Sequence, residues 1–159
     1  MALDDVEAIC RLKYAYFRLL DLKRYTELGA LLTDDATTSY QSGELRQAGR
    51  DAIVAFLRTS LGDPGIVTTH NGHHPEIELT SERSATGTWY LEDRVIVPAH
   101  DFVLTGTALY HDEYVKDSGE WRIAHTGYDR IYEEHRRYSS GRVLSLRIGN
   151  GPVTTFPET

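Results

Sequence analysis

The segment THNGHHPEIEL brings His70, His73 and His74 together at the start of a strand-like run. Imidazole titrates near neutral pH, so His70 is a candidate general base for proton transfer. A hydrogen-bonded core histidine or a surface cluster would account for the same pattern. A metal site built from His70, His73 and His74 is disfavoured, because strand alternation sends His73 and His74 to opposite faces and the chain has no HExxH helix. The expectation is no metal.

A second candidate is a carboxylate in the wrong place. In TWYLEDRVIV, period-two alternation gives Trp89, Leu91, Asp93, Val95 and Val97 one face, and Thr88, Tyr90, Glu92 and Arg94 the other. Asp93 therefore interrupts an apolar face. An unpaired buried charge costs several kcal/mol, so Asp93 needs a donor in the core or an opening to a cavity. A structural salt bridge would satisfy it as well as a catalytic role. Tyr16 and Asp21 flank the end of the first helical stretch, roughly 140° apart about its axis at 3.6 residues per turn. Asp21 suits either the N-cap of a following helix or the partner of a base. Tyr40 beside a turn, and Tyr128, Arg130 and Tyr132 on one expected strand face, read locally as packing residues.

Helices and strands in sequence must position these groups. Apolar residues recur at helical spacing from Asp4 to Leu20 (Val6, Ile9, Leu12, Tyr16, Leu19, Leu20), with Lys and Arg between them. A second helical stretch is predicted over 22–32, a short β segment over 36–40, and a third helix over 50–61 that Gly62-Asp63-Pro64-Gly65 ends. Four β-like runs follow, over 66–79, 85–97, 102–116 and 121–134. Helices followed by a long antiparallel meander define an α+β chain, with a twisted sheet curling round its helices into a half-open cone. One domain is expected over 1–138. Residues 139–159 read as a C-terminal arm, with a short strand at 142–148 and a tendency to dock on a neighbouring subunit.

Composition excludes several classes of function. The 159 residues are 40% hydrophobic and 26% charged, ordinary for a soluble globular protein. A formal net charge of −7 argues against nucleic acid as a partner. Cys10 is the single cysteine, so no internal disulfide forms, and a reducing compartment fits. The N-terminal segment does not resemble a secretory signal, and no stretch reaches the ~20 apolar residues that span a bilayer. A cytoplasmic protein without membrane attachment is expected.

The segments YFRLLD from Tyr16, TTSY ending at Tyr40, THNGHHPEIELTS, SATGTWYLEDR and TGYDRIYEEH stand in an order and spacing that resembles SnoaL-like proteins, over about residues 8–135. Within that group the likeness is strongest to bile-acid 7α-dehydratase. The resemblance implies the cone-shaped fold also found in scytalone dehydratase, ketosteroid isomerase and polyketide cyclases, and a homo-oligomer, with a trimer favoured over a dimer. It also implies that Tyr16, Asp21, His70 and Asp93 are catalytic and that Tyr40 and Arg130 line the pocket. Trp89, Tyr128 and Asn71 are expected to contact substrate. Asn71 and the stretch 98–107 depart from the relatives and point away from bile acids as the substrate. The implied activity is a dehydratase that uses no cofactor and acts on a hydrophobic, hydroxylated ring ketone such as a steroid or polyketide. An isomerase, polyketide cyclase or epoxide hydrolase, a non-catalytic ligand-binding protein, and a small subunit beside an aromatic-ring oxygenase are the alternatives.

Overall fold

The computed structural model describes residues 4–157. Helix α1 (Asp5–Asp21) starts where the Asp4 carboxylate accepts from the Val6 N–H. It buries Ile9, Tyr16, Phe17, Leu19 and Leu20 as one stripe. The chain breaks at Lys23, whose φ of 57° lies in the left-handed region and cannot continue a helix. Helix α2 therefore starts only at Tyr25, and it ends at Gly29, much shorter than the stretch predicted over 22–32. Strand β1 (Leu32–Tyr40) takes up the remainder, starting earlier than its sequence suggested. A short 3₁₀ turn (Gln41–Gly43) and β2 (Leu45–Ala48) lead into α3 (Arg50–Leu61), which packs on β1 and α2.

The meander follows as β3 (Val67–Ser81), β4 (Ser84–Val97), β5 (Phe102–Asp117) and β6 (Glu120–Arg137). The strand order is β2-β1-β6-β5-β4-β3, antiparallel throughout except where β1 runs parallel to β6. Helices on one face of a large, mostly antiparallel sheet make this an α+β fold, the cone expected from the order of elements. The core lies between helices and sheet, with Trp89, Leu91, Ala108, Tyr110, Tyr114 and Ile123 on the covered face.

Two features of β6 place the site. Its first half bonds β1 through residues 123–127, while 132–136 on the same edge pair with β7 (Val143–Ile148), which in turn pairs with β8 (Val153–Thr155). The tail thus closes an edge that would otherwise expose unpaired backbone groups. Next, β6 has a bulge: Thr107 pairs with Tyr132 but Ala108 pairs with Arg130, leaving Ile131 extra. The extra residue changes which face each neighbour meets. Tyr128 and Arg130 point inward, whereas Tyr132 is 38% exposed on the outer face, so the single face expected for Tyr128, Arg130 and Tyr132 is split. Among the described residues no helix is long and apolar enough to cross a membrane.

Candidate active site

A cavity of about 310 Å³ opens between α1, α3 and the covered face of the sheet. Leu20, Leu45, Phe56, Leu57 and Leu61 give it apolar walls. Its polar groups are few: the hydroxyls of Tyr16, Tyr40, Tyr110 and Tyr128, Ser60, and the His70 imidazole. This is the composition of a small-molecule site, in which a few placed polar groups orient a largely apolar ligand.

His70 is fixed from one side. Its Nδ1 lies 2.6 Å from Asp21 Oδ1, and its backbone N–H donates to Asp21 Oδ2 at 2.9 Å. Thr68, two residues along the same strand face, donates its hydroxyl to Asp21 Oδ1 at 2.9 Å. Asp21 is the last residue of α1, so its carboxylate projects past the helix end onto β3. It does not cap α2, whose N-cap is Arg24. A carboxylate accepting at Nδ1 places the imidazole proton there and leaves Nε2 as the basic nitrogen. Nε2 has no hydrogen-bond partner among the described residues, and the ring borders the cavity.

Tyr16 and Tyr40 form a second unit, their hydroxyl oxygens 2.8 Å apart on the cavity wall. Both rings are buried, and burial pushes the two hydroxyls well above the ordinary tyrosine value. The same cause raises Tyr110 well above it and Tyr128 to about 12. At neutral pH all four are protonated donors facing an apolar space.

Asp93 and Arg130 form the third unit. Arg130 donates from Nη1 to Oδ1 at 2.5 Å and from Nη2 to Oδ2 at 2.8 Å, and both side chains are only 5% exposed. This bidentate pair answers the carboxylate on the apolar face. Burial works against the Arg130 charge, but the bonds to Asp93 outweigh it and raise its pKa. Gly106 makes the space: a Cβ there would stand 2.4 Å from Arg130 Nη1. Arg130 also lies 4.8 Å over the Tyr128 ring and reaches Gln41 and Glu133. His70 and Asp93 are register partners on β3 and β4, yet each carboxylate has its own cation or imidazole: Asp21 for His70, Arg130 for Asp93.

The remaining sequence candidates lie elsewhere. Asn71 faces the opposite side of the sheet from His70, beside Glu92 and Thr107 in a polar depression that Tyr132 and Arg94 also border. Trp89 is fully buried beneath the cavity and donates to the Tyr114 hydroxyl at 3.0 Å. His73 and His74 are not joined with His70 in a ligand set, and no group of three metal-binding side chains occurs among the described residues. Sequence reasoning passed over Tyr110 on the cavity wall and Lys13 behind it. Lys13 was detectable, because it falls in the stripe Ile9, Lys13, Tyr16, Leu20, where a cation interrupts a buried helix face.

Comparison with known proteins bears on the fold. Over 92% of its length the chain superposes on 91% of a putative scytalone dehydratase from Novosphingobium aromaticivorans, with a TM-score of 0.76 and 23% identity. It matches 86% of a hexachlorocyclohexane dehydrochlorinase, LinA type 2, over 81% of its own length, with a TM-score of 0.72 and 19% identity. ActVI-ORFA from Streptomyces coelicolor is similar over 79% of this chain and 96% of its own, with a TM-score of 0.68 and 19% identity. The sequence model of the SnoaL-like domain matches residues 1–127, four-fifths of the chain, and the protein belongs to the SnoaL-like domain family.

Proposed function

We propose that the protein is a cofactor-independent dehydratase of a hydrophobic ring ketone bearing a hydroxyl at the β or vinylogous position. The observation that supports this best is His70, held at Nδ1 by Asp21 and bordering an apolar cavity that also presents the Tyr16 and Tyr40 hydroxyls. Neutral His70 takes a proton from the carbon next to the carbonyl through Nε2, and Asp21 stabilises the imidazolium that results. Tyr16, with Tyr40 behind it, donates to the carbonyl oxygen as negative charge collects there. Electrons from the broken C–H bond form the new double bond. The C–O bond to the hydroxyl breaks, and the imidazolium returns its proton to the departing oxygen, which leaves as water. No group changes oxidation state, so the step needs no redox partner. Asp93 and Arg130 act at one remove, holding the Tyr128 ring on the wall.

Two neighbours of the same fold carry names that denote eliminations, a putative scytalone dehydratase and a hexachlorocyclohexane dehydrochlorinase, which accords with this reading. The test is to incubate the protein with hydroxylated steroid, bile-acyl and polyketide ketones and follow product mass. Loss of water from one scaffold, abolished in a folded His70→Ala variant, is the expected result. Full activity in that variant would refute the assignment of the base. Ligand-induced thermal stabilisation without turnover of any compound would replace the enzyme by a binding protein.

A further inference from the structure

A charged pair lies directly behind the aromatic wall of the cavity. The Lys13 side chain on α1 is entirely buried. Its Nζ bonds Asp112 Oδ2 at 2.7 Å and donates to Thr126 Oγ1 at 3.1 Å. The same nitrogen stands 3.6 Å from the centre of the Tyr110 ring and 4.8 Å from that of Tyr16. Both tyrosines line the cavity, whereas Asp112 does not. Asp112 is two residues beyond Tyr110 on the same face of β5 and accepts from the Tyr114 hydroxyl at 2.6 Å. The pair therefore has a direction: its cation faces the cavity wall and its anion faces the Trp89–Tyr114 layer beneath.

Stability does not explain the pair. Well-packed apolar residues of similar volume commonly serve as well as a buried ion pair, or better. One Asp112 oxygen, Oδ1, even lacks a hydrogen-bond partner among the described residues. Nor does the proposed base use it, since His70 is served by Asp21. Its electrostatic effect falls on the tyrosines. Burial is the main cause that raises Tyr16 and Tyr110, and the Asp112 charge pushes both further up. Burial lowers the Lys13 pKa while the charge and hydrogen bond of Asp112 sustain its ammonium, which stands 3.6 Å from the Tyr110 ring centre and so opposes the Asp112 charge there. A cation over a ring face is itself favourable, and in a dry site a fixed dipole acts on a developing charge without reorganising.

We propose that Lys13, paired with Asp112, is a positioning residue that turns the positive end of a buried dipole toward Tyr110 and Tyr16, so that their hydroxyls hold negative charge on a substrate oxygen. The proposal rests on the reading of the cavity as a site where enolate charge develops, and it assigns that charge a stabiliser outside the cavity.

Substituted phenols of graded acidity serve as probes, because a bound phenolate carries the charge of an enolate and needs no turnover. Ultraviolet titration gives the pKa of the bound phenol in the wild type and in Lys13→Met/Asp112→Asn. That double variant removes both charges, keeps the volumes close and leaves an acceptor for Tyr114. With the probe oxygen roughly 6 Å from Nζ and an effective dielectric near ~20, losing the dipole should raise the bound pKa by about half a unit, roughly threefold in ionisation. An unchanged pKa with undiminished phenol binding overturns the proposal and leaves the base reading standing, since His70→Ala tests that separately by turnover. Failure of every phenol to bind the wild type would overturn the proposal together with the oxyanion reading of the cavity. Should the double variant not fold, the wild type alone decides. The chain has three lysines, Lys13, Lys23 and Lys116. In protein carrying ¹⁵N-lysine, the Lys13 Nζ resonance should move progressively as more acidic phenols fill the cavity, and a resonance indifferent to the charge on the probe refutes the role.

Discussion

Replacing Arg130 with Met should be among the most damaging single changes outside the purely apolar core. The substitution removes both N–H groups that Asp93 accepts, at 2.5 and 2.8 Å, from a carboxylate whose side chain is 5% exposed. Breaking one half of a buried pair typically costs about 3–5 kcal/mol, because the partner is left charged in a poor solvent. Domains of this size are stable by about 5–15 kcal/mol, so a fifth or more of the total is at stake. At roughly 2–4 °C per kcal/mol, Tm should fall by about 10 °C. The informative measurement is a double-mutant cycle in urea, followed through the fluorescence of the buried Trp89 and Trp121. Asp93→Leu added to Arg130→Met should recover most of the loss, with a coupling of about 2–4 kcal/mol. Additive losses, or a cost below about 1 kcal/mol for Arg130→Met alone, would refute the claim that mutual satisfaction keeps these charges inside the sheet.

Gly72→Ala should destabilise by about 1–3 kcal/mol in thermal melts, because the new Cβ would stand 2.3 Å from Phe17 Cε2 and force that ring to move. Tyr40→Phe removes the partner of the Tyr16 hydroxyl at 2.8 Å and should cost about 1–2 kcal/mol of stability. On the proposed mechanism it should also lower turnover more than substrate binding. Glu133 supplies a pH prediction. Its hydrogen bond from His135, helped by Gln41 and Arg130 and opposed by burial, lowers its pKa from 4.5 to about 2. A depressed carboxylate stabilises fully above its unfolded pKa, and that contribution is lost as pH falls from about 4.5 toward 2. Since Glu133 is half-buried and partly screened, the loss should be about 1–2 kcal/mol, and Glu133→Gln should flatten this part of the stability curve.

The fold was legible where local pattern and packing agreed. Alternation across Trp89, Leu91 and Asp93 identified the covered face of β4, and the Gly62-Asp63-Pro64-Gly65 break marked the end of α3. The second helix was expected where it lies but too long, since helical spacing cannot register a single left-handed residue, Lys23, that delays its start to Tyr25. Tyr132 was assigned to the wrong face for a related reason: one inserted residue, Ile131, resets a period of two, and nothing in the composition announces it. At the site, residue type and pattern drew notice to His70, Asp21, Asp93 and Tyr16, whereas Tyr40 entered only through the resemblance to SnoaL-like proteins. Which carboxylate meets which partner was beyond reach, because Asp21 and His70 are 49 residues apart and Asp93 and Arg130 are 37 apart. Asn71 shows the converse limit. Its departure from the relatives suggested contact with substrate, but adjacent strand residues point to opposite faces, and Asn71 lies on the face away from His70.

The parallel pairing of β1 with β6 governs when the cavity can come into being. Leu32 pairs with Ile123 and Ser39 with Gly127, so a strand made early waits for one made some 90 residues later. The meander from β3 to β6 can zip hairpin by hairpin, whereas β1 closes a long loop whose entropy must be met in one step. Tyr16 and Tyr40 stand on the early side of that closure, Tyr110 and Tyr128 on the late side. During synthesis β1 leaves the ribosome well before β6, the strand its edge pairs with. Binding of a cavity ligand during refolding should therefore appear only in the last kinetic phase, together with β1 docking, and a fragment ending before β6 should have no affinity for it.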